Sequence, residues 1–325
     1  MNTVLETKNL QVYLTEGKEE KQLVKNVSFS VGQGECLGIL GESGSGKSMT
    51  VKAILGLLDR NFRISGQALF EGKDLLMECK ESLRRVRGNQ ISMILQNPMT
   101  CFDPLFRIEN QMRETFEVHT DWDRETIRKN SLKILERMKI QEPEEVLKKY
   151  PHQLSGGMLQ RIMIGIAMLL QPKLLIADEP TTAIDSVTQY EVLEEFLRIR
   201  REVGTAMIFI SHDLGAISKV ADRILVMNQG KIVDQGNFSH ILHDASDEYT
   251  RLLVEKRMAV MKKYREMVSD NQNPSTVGYF VSAEKRRLLG DSGRIWQWKV
   301  HHRAGDQRPV KTRQWSGFFG RSFHL

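Results

Sequence analysis

Short apolar runs recur along this chain and alternate with segments whose apolar residues are spaced as on one face of a helix. The runs of strand length are 35–40, 91–95, 174–177 and 206–210. The segments with helical spacing are 49–58, 131–139, 142–149, 162–170 and 248–267. Strand-length apolar runs that alternate with helices are typical of an α/β core, which is the fold class that the pattern predicts.

Two regions depart from this pattern. The first 34 residues predict short strands at 9–14 and 27–31, where apolar and polar residues alternate, with a polar turn at 15–21. A further strand is predicted at 64–70, followed by a turn at 71–74. Pro98 and Pro104 then break the chain, and helical patterns continue to about residue 150. We interpret this region as a helical insertion between two strands of the core.

Composition places the chain among ordinary globular proteins, with 325 residues, 40% hydrophobic and 27% charged. The sequence contains no apolar run of the roughly 18 residues that a membrane span needs, and its first residues lack the pattern of a signal peptide. Cys36, Cys79 and Cys101 do not have the spacing of a metal site. We therefore expect a reducing compartment and no disulfide framework.

The excess of positive over negative charge lies at the end of the chain. The net charge is +6, and residues 270–325 contain ten Lys or Arg against four Asp or Glu, so the remainder is neutral. Three of the four tryptophans, Trp296, Trp298 and Trp315, also lie there. Basic residues among aromatic ones can bind nucleic acid or anionic lipid. The absence of repeats and of helical periodicity favours either a poorly ordered tail or sequence from an altered reading frame, and we assign it no role.

A phosphate-binding pattern lies between the first buried strand and the first helix. Residues 41–48 match G-x-x-x-x-G-K-S, the P-loop. The loop consists of Gly41, Glu42, Ser43, Gly44, Ser45, Gly46, Lys47 and Ser48. Its backbone N–H groups and the start of the helix would face a phosphate. Lys47 would reach the β- and γ-phosphates, and the Ser48 hydroxyl would hold Mg²⁺.

Polar side chains follow three other strands where each of them ends. Asp178 and Glu179 come after one strand, His212 after another, and Gln96 after a third. Ligands bind at this edge of an open α/β sheet. Asp178 would hold Mg²⁺ through water, Glu179 would polarise an attacking water, and His212 could bond a γ-phosphate oxygen. Taken alone, the carboxylates could form a solvated turn, and the histidine could be structural.

Two further features are weak when each is taken alone. Ser155, Gly156 and Gly157 open an apolar helix, and their N–H groups could either face an anion or form an ordinary helix cap. Tyr13, on an early strand, could either stack on a purine ring or fill a half-buried position of a sheet.

Taken together, these motifs resemble those of ATP-binding cassette (ABC) ATPases, over residues 3–267. The P-loop, the glutamine, Leu-Ser-Gly-Gly, Asp-Glu-Pro and the histidine occur in that family's order. The resemblance implies a RecA-like P-loop NTPase core, an antiparallel β subdomain and a helical ABC subdomain at about 98–165. It implies a cassette at 1–267 and a separate tail at 268–325.

The resemblance also assigns roles. ATP would be bound by residues 41–48 and Met49, with Tyr13 stacked on adenine. Gln96 would contact Mg²⁺ and sense the membrane partner. Ser155, Gly156 and Gly157 would bind ATP held by the opposite subunit, and Asp185 would link the two sites. Lys47, Gln96, Glu179 and His212 would be catalytic, with Mg²⁺ at Ser48, Gln96 and Asp178. Met158 departs from the family pattern, which usually has glutamine there; we expect this to tune the site.

Several motifs resemble those of the peptide and nickel importers within this family. They are 96–100, Asp103 with Pro104, 150–157 and 177–182. Within that group, residues 155–161 and 113–115 resemble the nickel-importer ATPases. The chain has no cysteine after Cys101, whereas peptide-importer ATPases tend to carry clustered cysteines in a C-terminal extension. This favours nickel or a nickel chelate as cargo, with di- or oligopeptides as the alternative.

The importer resemblance implies partners and a location. These are a different second cassette, two integral membrane subunits and an extracytoplasmic binding protein, with this chain at the cytoplasmic face of the inner membrane. The helical insertion would dock the membrane subunits. DNA-associated ABC ATPases are a more remote alternative. They usually carry long insertions between the P-loop and Ser-Gly-Gly, but only 107 positions separate Ser48 from Ser155 here.

Overall fold

Two β-sheets and a set of helices build the part of the chain that the structure describes. The structure is a computed structural model and describes residues 2–17, 19–182 and 184–270. The strands are β1 Thr3–Glu16, β2 Glu19–Gly32, β3 Cys36–Leu40, β4 Phe62–Phe70, β5 Lys73–Asp74, β6 Ile91–Ile94, β7 Leu174–Asp178, β8 Ala206–Ile210, β9 Arg223–Asn228 and β10 Lys231–Gly236. The helices are α1 Lys47–Ile54, α2 Lys80–Val86, α3 Ile108–His119, α4 Arg124–Arg137, α5 Pro143–Lys148, α6 Gly156–Leu169, α7 Ser186–Val203, α8 Leu214–Val220, α9 Phe238–His243 and α10 Glu248–Asp270.

The larger sheet confirms the predicted α/β core. Its strand order is β10-β9-β3-β8-β7-β6, and β9, β3, β8, β7 and β6 run parallel. β10 pairs antiparallel with β9 at one edge. The smaller sheet is antiparallel, with the order β2-β1-β4-β5. Because parallel strands end at one edge, the loops after β3, β6, β7 and β8 meet there.

The central strands of the larger sheet separate two hydrophobic cores. Cys36, Leu40, Leu175, Ala177, Met207 and Phe209 belong to the core that contains α3, α4, α6, α7 and α8. Leu37, Ile39, Leu174, Ile176, Ala206, Ile208 and Ile210 belong to the core that contains α1 and the smaller sheet. Alternate residues of one strand point to opposite faces, so each strand contributes to both cores. This explains why these strands read as continuous apolar runs.

Several predicted boundaries were wrong. The predicted turn at 15–21 is shorter, because β1 extends to Glu16 and β2 begins at Glu19, with Thr15 paired to Glu20. The end of this hairpin carries polar, solvent-exposed side chains, so a pattern of apolar residues does not reveal that its strands pair there. α1 starts at Lys47 and ends at Ile54, before the chain turns at Gly56, so the predicted helix at 49–58 is displaced.

The helical insertion contains α3, α4 and α5 and leads into α6. The helix predicted at 131–139 is the second half of α4, whose N-terminus is capped by the Asp123 carboxylate bound to the Thr126 N–H. The domain limits at about 98–165 and at 267 stay predictions. The predicted tail lies, from residue 271, outside the described residues. Within the described ranges, no helix has the length and apolar character needed to span a membrane.

Candidate functional site

The P-loop connects β3 to α1 at the shared edge of the parallel strands. Gly46 is the N-cap of α1 and has a φ of 102°, in the left-handed region that side chains rarely adopt. The loop therefore curls directly into the first turn of α1, where the backbone N–H groups lack helical partners. A helix N-terminus of this kind attracts anions.

Lys47 is enclosed by the loop it belongs to and is only 6% exposed. Its Nζ donates to the carbonyl oxygens of Gly41 and Glu42, at 2.8 Å each, and to Ser45 Oγ at 3.4 Å. Burial lowers the pKa of this ammonium group, and the Glu179 and Asp178 carboxylates oppose that shift. The loop thus holds a positive charge where a phosphate group would lie.

The turn between β9 and β10 braces the P-loop from outside. The Gly230 N–H donates to the Ser45 carbonyl at 3.0 Å, and the Gly230 carbonyl accepts from the Lys25 N–H of β2 at 2.7 Å. The φ of Gly230 is 80°, and a Cβ there would lie 2.2 Å from the Leu23 carbonyl oxygen. Only glycine fits this position without a shift of backbone.

Gly230→Ala is expected to destabilise the protein more than Gly72→Ala, its matched control. Gly72 has a φ of 82° with open space around a Cβ, so alanine there costs about 1–2 kcal/mol for the left-handed backbone alone. Gly230→Ala adds a clash with backbone worth about 1–3 kcal/mol more. Urea denaturation of both variants measures the difference. If the two variants had equal free energies of unfolding, the predicted close contact between position 230 and the Leu23 carbonyl would be wrong.

Ser48 and Asp178 join the P-loop to the end of β7. Ser48 Oγ donates to Asp178 Oδ1 at 2.9 Å, and Asp178 is 2% exposed. Burial raises the pKa of the Asp178 carboxyl, and the bond from Ser48 opposes this. A hydroxyl and a carboxylate at this distance are oxygen donors of the kind that hard cations prefer. In the described part of the chain, no cluster of three or more His, Cys, Asp or Glu side chains suits a metal.

Glu179 is the residue on which the other predicted side chains converge. Gln96 Nε2 donates to Glu179 Oε2 at 2.9 Å, and His212 Nδ1 lies 3.2 Å from the same oxygen. Thr182 Oγ1 also donates to it at 3.2 Å, a partner that the sequence analysis did not single out. Three strand-end residues predicted separately, Gln96, Glu179 and His212, therefore form one cluster.

The backbone and charge of Glu179 are both unusual. Its φ is 49°, in the left-handed region, and its N–H donates to the Ile210 carbonyl of β8 at 2.9 Å. The hydrogen bond with His212 lowers the pKa of the Glu179 carboxyl, against the opposing effect of burial. The side chain is thus an ionised acceptor at neutral pH, held at the sheet edge beside Asp178.

Tyr13 lies apart, on β1 of the smaller sheet. Its hydroxyl accepts a hydrogen bond from Gln22 Nε2 at 3.2 Å and donates to the Gln11 amide oxygen. The Arg63 guanidinium carbon lies 4.1 Å from the centre of the ring, and Arg63 is held by two 2.8 Å bonds to Glu20. A purine stacked on Tyr13 would therefore share the ring with a guanidinium group.

Ser155 and Asp185 each cap a helix. Ser155 Oγ accepts from the Met158 N–H at 3.2 Å at the start of α6, where Gly156 and Gly157 form the first turn. Asp185 Oδ1 accepts from the Thr188 N–H at 3.0 Å at the start of α7. Among the described residues, no hydrogen bond connects Ser155 with the P-loop. Within the same described residues, the hydrogen bonds that converge on Glu179 come from Gln96 and Thr182 and none comes from the Ser155 group.

Comparison with known proteins identifies the family. The family model described as ABC transporter matches residues 24–182. The metal-staphylopine import system ATP-binding protein CntD of Staphylococcus aureus (strain NCTC 8325 / PS 47) is 41% identical over 266 residues, covering 82% of this chain and 97% of that protein. The oligopeptide transport ATP-binding protein OppD of Haemophilus influenzae is 40% identical over 250 residues, covering 77% of each chain.

A solved structure has the same fold. It is a dimeric ATP-binding cassette, MJ0796, in a post-hydrolysis state with ADP and Pi, with a TM-score of 0.66 and 24% identity. The match covers 72% of this chain and 98% of that one. The two relatives align with most of this chain, and the geometry places a P-loop beside an acidic strand end. The chain belongs to the ABC transporter family, as a subunit that binds and hydrolyses ATP.

Proposed function

We propose that this chain powers an importer of nickel or a nickel chelate, by hydrolysing ATP with Glu179 as the residue that activates water. The observation that carries the catalytic part is the convergence of Gln96, His212 and Thr182 on Glu179 Oε2, next to the P-loop. Such a cluster orients one carboxylate at the edge where ligands of α/β sheets bind.

Lys47 and His212 would neutralise the γ-phosphate. Phosphoryl transfer needs mainly positioning and neutralisation of charge, because little covalent chemistry is left to the protein. Lys47 already lies inside the loop, and it would exchange carbonyl partners for phosphate oxygens. His212 Nδ1 lies 3.2 Å from Glu179 Oε2. His212 would exchange this carboxylate partner for a γ-phosphate oxygen when ATP binds. Glu179 would accept a proton from the water as that water attacks the γ-phosphorus, while the bond from this phosphorus to the β,γ-bridging oxygen breaks and ADP leaves.

The residues present fit Mg²⁺ bound together with ATP. Mg²⁺ usually keeps several waters and takes one or two protein oxygens besides the phosphates, so a cluster of three acidic ligands is not required. Ser48 Oγ and Asp178 Oδ1, at 2.9 Å, supply oxygens next to Lys47. Gln96 gives its amide nitrogen to Glu179, so its amide oxygen is the atom suited to a cation. Mg²⁺ supplies charge neutralisation at the phosphates when bound.

The remaining predicted residues would complete the site through a second cassette. Ser155, Gly156 and Gly157 open α6, where free N–H groups suit the γ-phosphate of ATP bound to another subunit. Asp185 would link the two sites, and Tyr13 would stack on adenine. The solved cassette with the same fold is described as a dimer, which is consistent with a paired arrangement. ATP would then hold the dimer closed, and hydrolysis would release it.

An apolar groove next to Gln96 would receive the membrane subunits. The groove has a volume of about 400 Å³ and is lined mainly by apolar side chains, among them Met93, Leu95, Phe102, Met163 and Ile166. Nearby on the chain, Leu105 and Phe106 are exposed, at 78% and 52%. Exposed apolar surface of this kind marks interfaces. The partners would be a second cassette, two membrane subunits and an extracytoplasmic binding protein, at the cytoplasmic face of the inner membrane.

The most specific part of the proposal is the identity of the transported substrate. CntD, a metal-staphylopine import protein by name, aligns with this chain along 97% of its length. OppD, an oligopeptide transport protein by name, aligns along 77%. The sequence has no cysteine after Cys101, whereas peptide-importer ATPases tend to carry clustered cysteines in a C-terminal extension. These observations favour a metal or metal chelate, with peptides as the alternative.

Uptake of radiolabelled nickel tests the cargo. Cells carry either the intact chain or Glu179→Gln, and the same cells are tested for dipeptide uptake. Loss of nickel uptake in the variant, with unchanged dipeptide uptake, is the expected result. The reverse pattern would assign the chain to peptide import. If neither flux changed, the nickel and peptide proposals would both be overturned.

A further inference from the structure

The last described helix begins at a fixed point. Asp234 of β10 accepts from the Ser246 N–H at 2.8 Å and the Asp247 N–H at 3.3 Å, and its other oxygen lies 3.2 Å from His240 Nε2. Asp247 in turn accepts from the Tyr249 N–H at 2.9 Å. Leu253 and Val254 are buried in the helical core. The first turns of α10 are thus fixed by hydrogen bonds at one end and by packing on one face.

This fixed helix reaches the P-loop. The Glu42 N–H donates to Tyr249 Oη at 3.1 Å, a contact between residues 207 positions apart. Tyr249 is half-buried against the helical core, and burial raises the pKa of its hydroxyl. About two turns further along α10, Lys256 Nζ lies 3.9 Å from Glu42 Oε1. Besides burial, the positive charge of the neighbouring Arg257 lowers the pKa of Lys47. α10 therefore brings a hydroxyl and positive charge to the same side of the loop.

We infer that Tyr249 is a positioning residue for ATP binding, which holds the Glu42 end of the P-loop in the conformation that receives phosphate. The inference rests on the proposed role of residues 41–48 as the ATP site. Tyr249 would touch neither the phosphates nor the water, since it acts on the loop through a backbone N–H.

The need for such a contact follows from the hydrogen bonds of Lys47. Lys47 Nζ donates to the carbonyl oxygens of both Gly41 and Glu42. A bound phosphate would compete for the Lys47 ammonium group and weaken its bonds to these two carbonyl oxygens. The loop must nevertheless keep its curled conformation while the phosphate is bound. The bond from the Glu42 N–H to Tyr249 does not involve Lys47 and remains. A loop held in place before binding pays less ordering free energy when ATP binds.

Tyr249→Phe in the full chain tests the inference, because it keeps the ring and removes only the acceptor. The expected result is a rise of about fivefold in the Kd for ATP, measured by titration calorimetry without Mg²⁺, which is about 1 kcal/mol. In steady-state hydrolysis the loss should fall on KM, with kcat altered less than about twofold. Tyr190→Phe is the matched control, since Tyr190 is 60% exposed on α7, where Lys219 Nζ lies over its ring.

Three outcomes separate this inference from the proposed function. An unchanged Kd in Tyr249→Phe would overturn the inference, and so would a fall in thermal stability without a change in Kd, because that is a merely structural role. An equal rise in the Kd of Tyr190→Phe would overturn it as well. Lys47→Ala tests the site itself: if this variant bound ATP as tightly as the intact chain, the proposed ATP site would fail instead.

Discussion

Glu179→Gln is expected to lower kcat for ATP hydrolysis by about 10²–10⁴-fold and to leave ATP binding intact. Glutamine keeps the size of the side chain and can still bond Gln96 and Thr182, but it cannot accept a proton from water. The ATP-bound dimer should therefore accumulate, since hydrolysis is the step that releases it. Phosphate release gives kcat, titration gives the Kd for ATP, and size-exclusion chromatography with ATP measures the dimer.

Glu136→Gln is the control for this variant. Glu136 is an exposed carboxylate on α4, away from the sheet edge, so its loss removes the same charge without touching the cluster. Hydrolysis at the rate of the intact chain in Glu179→Gln would remove Glu179 from its proposed role. Loss of ATP binding together with turnover would show a folding defect, which thermal denaturation detects.

Asp178→Asn is expected to raise the Mg²⁺ concentration needed for half-maximal hydrolysis by about 10–100-fold. This is the usual effect of losing a group that hydrogen-bonds the ligands of a metal ion. Asparagine keeps an oxygen for the 2.9 Å bond from Ser48 but removes the negative charge. A Mg²⁺ titration of ATPase activity measures the shift, and activity should recover in part at high Mg²⁺.

Asp121→Asn is the matched control for the Mg²⁺ titration, because Asp121 is exposed on the connection before α4. Its midpoint should equal that of the intact chain. If Asp178→Asn also kept that midpoint, Asp178 would have no part in holding the cation. The proposed Mg²⁺ site would then reduce to Ser48 and Gln96.

The sequence predicts where the candidate site lies, at the edge where the parallel strands end, because its signals are local. The P-loop pattern spans eight consecutive residues, and Asp178 and Glu179 follow directly after an apolar run. Parallel pairing then brings separate strand ends together, so the convergence of Gln96 and His212 on Glu179 follows from topology. The helix α7 was not predicted, although Val192, Phe196 and Ile199 have helical spacing and are buried.

Contacts that depend on tertiary structure were beyond the sequence. No local pattern connects Tyr249 with Glu42, because only the fold of the intervening chain brings α10 to the loop. The hairpin of β1 and β2 extends through polar residues whose pairing satisfies the backbone and buries little apolar surface. Burial-based patterns therefore miss it. The stacking of Arg63 on Tyr13 also follows from strand register, which places the two residues opposite each other.

The left-handed backbone of Glu179 has a consequence for how this protein can evolve. A residue with a side chain pays about 1–2 kcal/mol for that conformation, and glycine pays much less. Selection for thermostability alone would therefore favour glycine at position 179, whereas selection for transport would retain the acid. Under the proposed role of Glu179, the cassette accepts a less stable native state at the residue that activates water, and gains in stability must come from other parts of the chain.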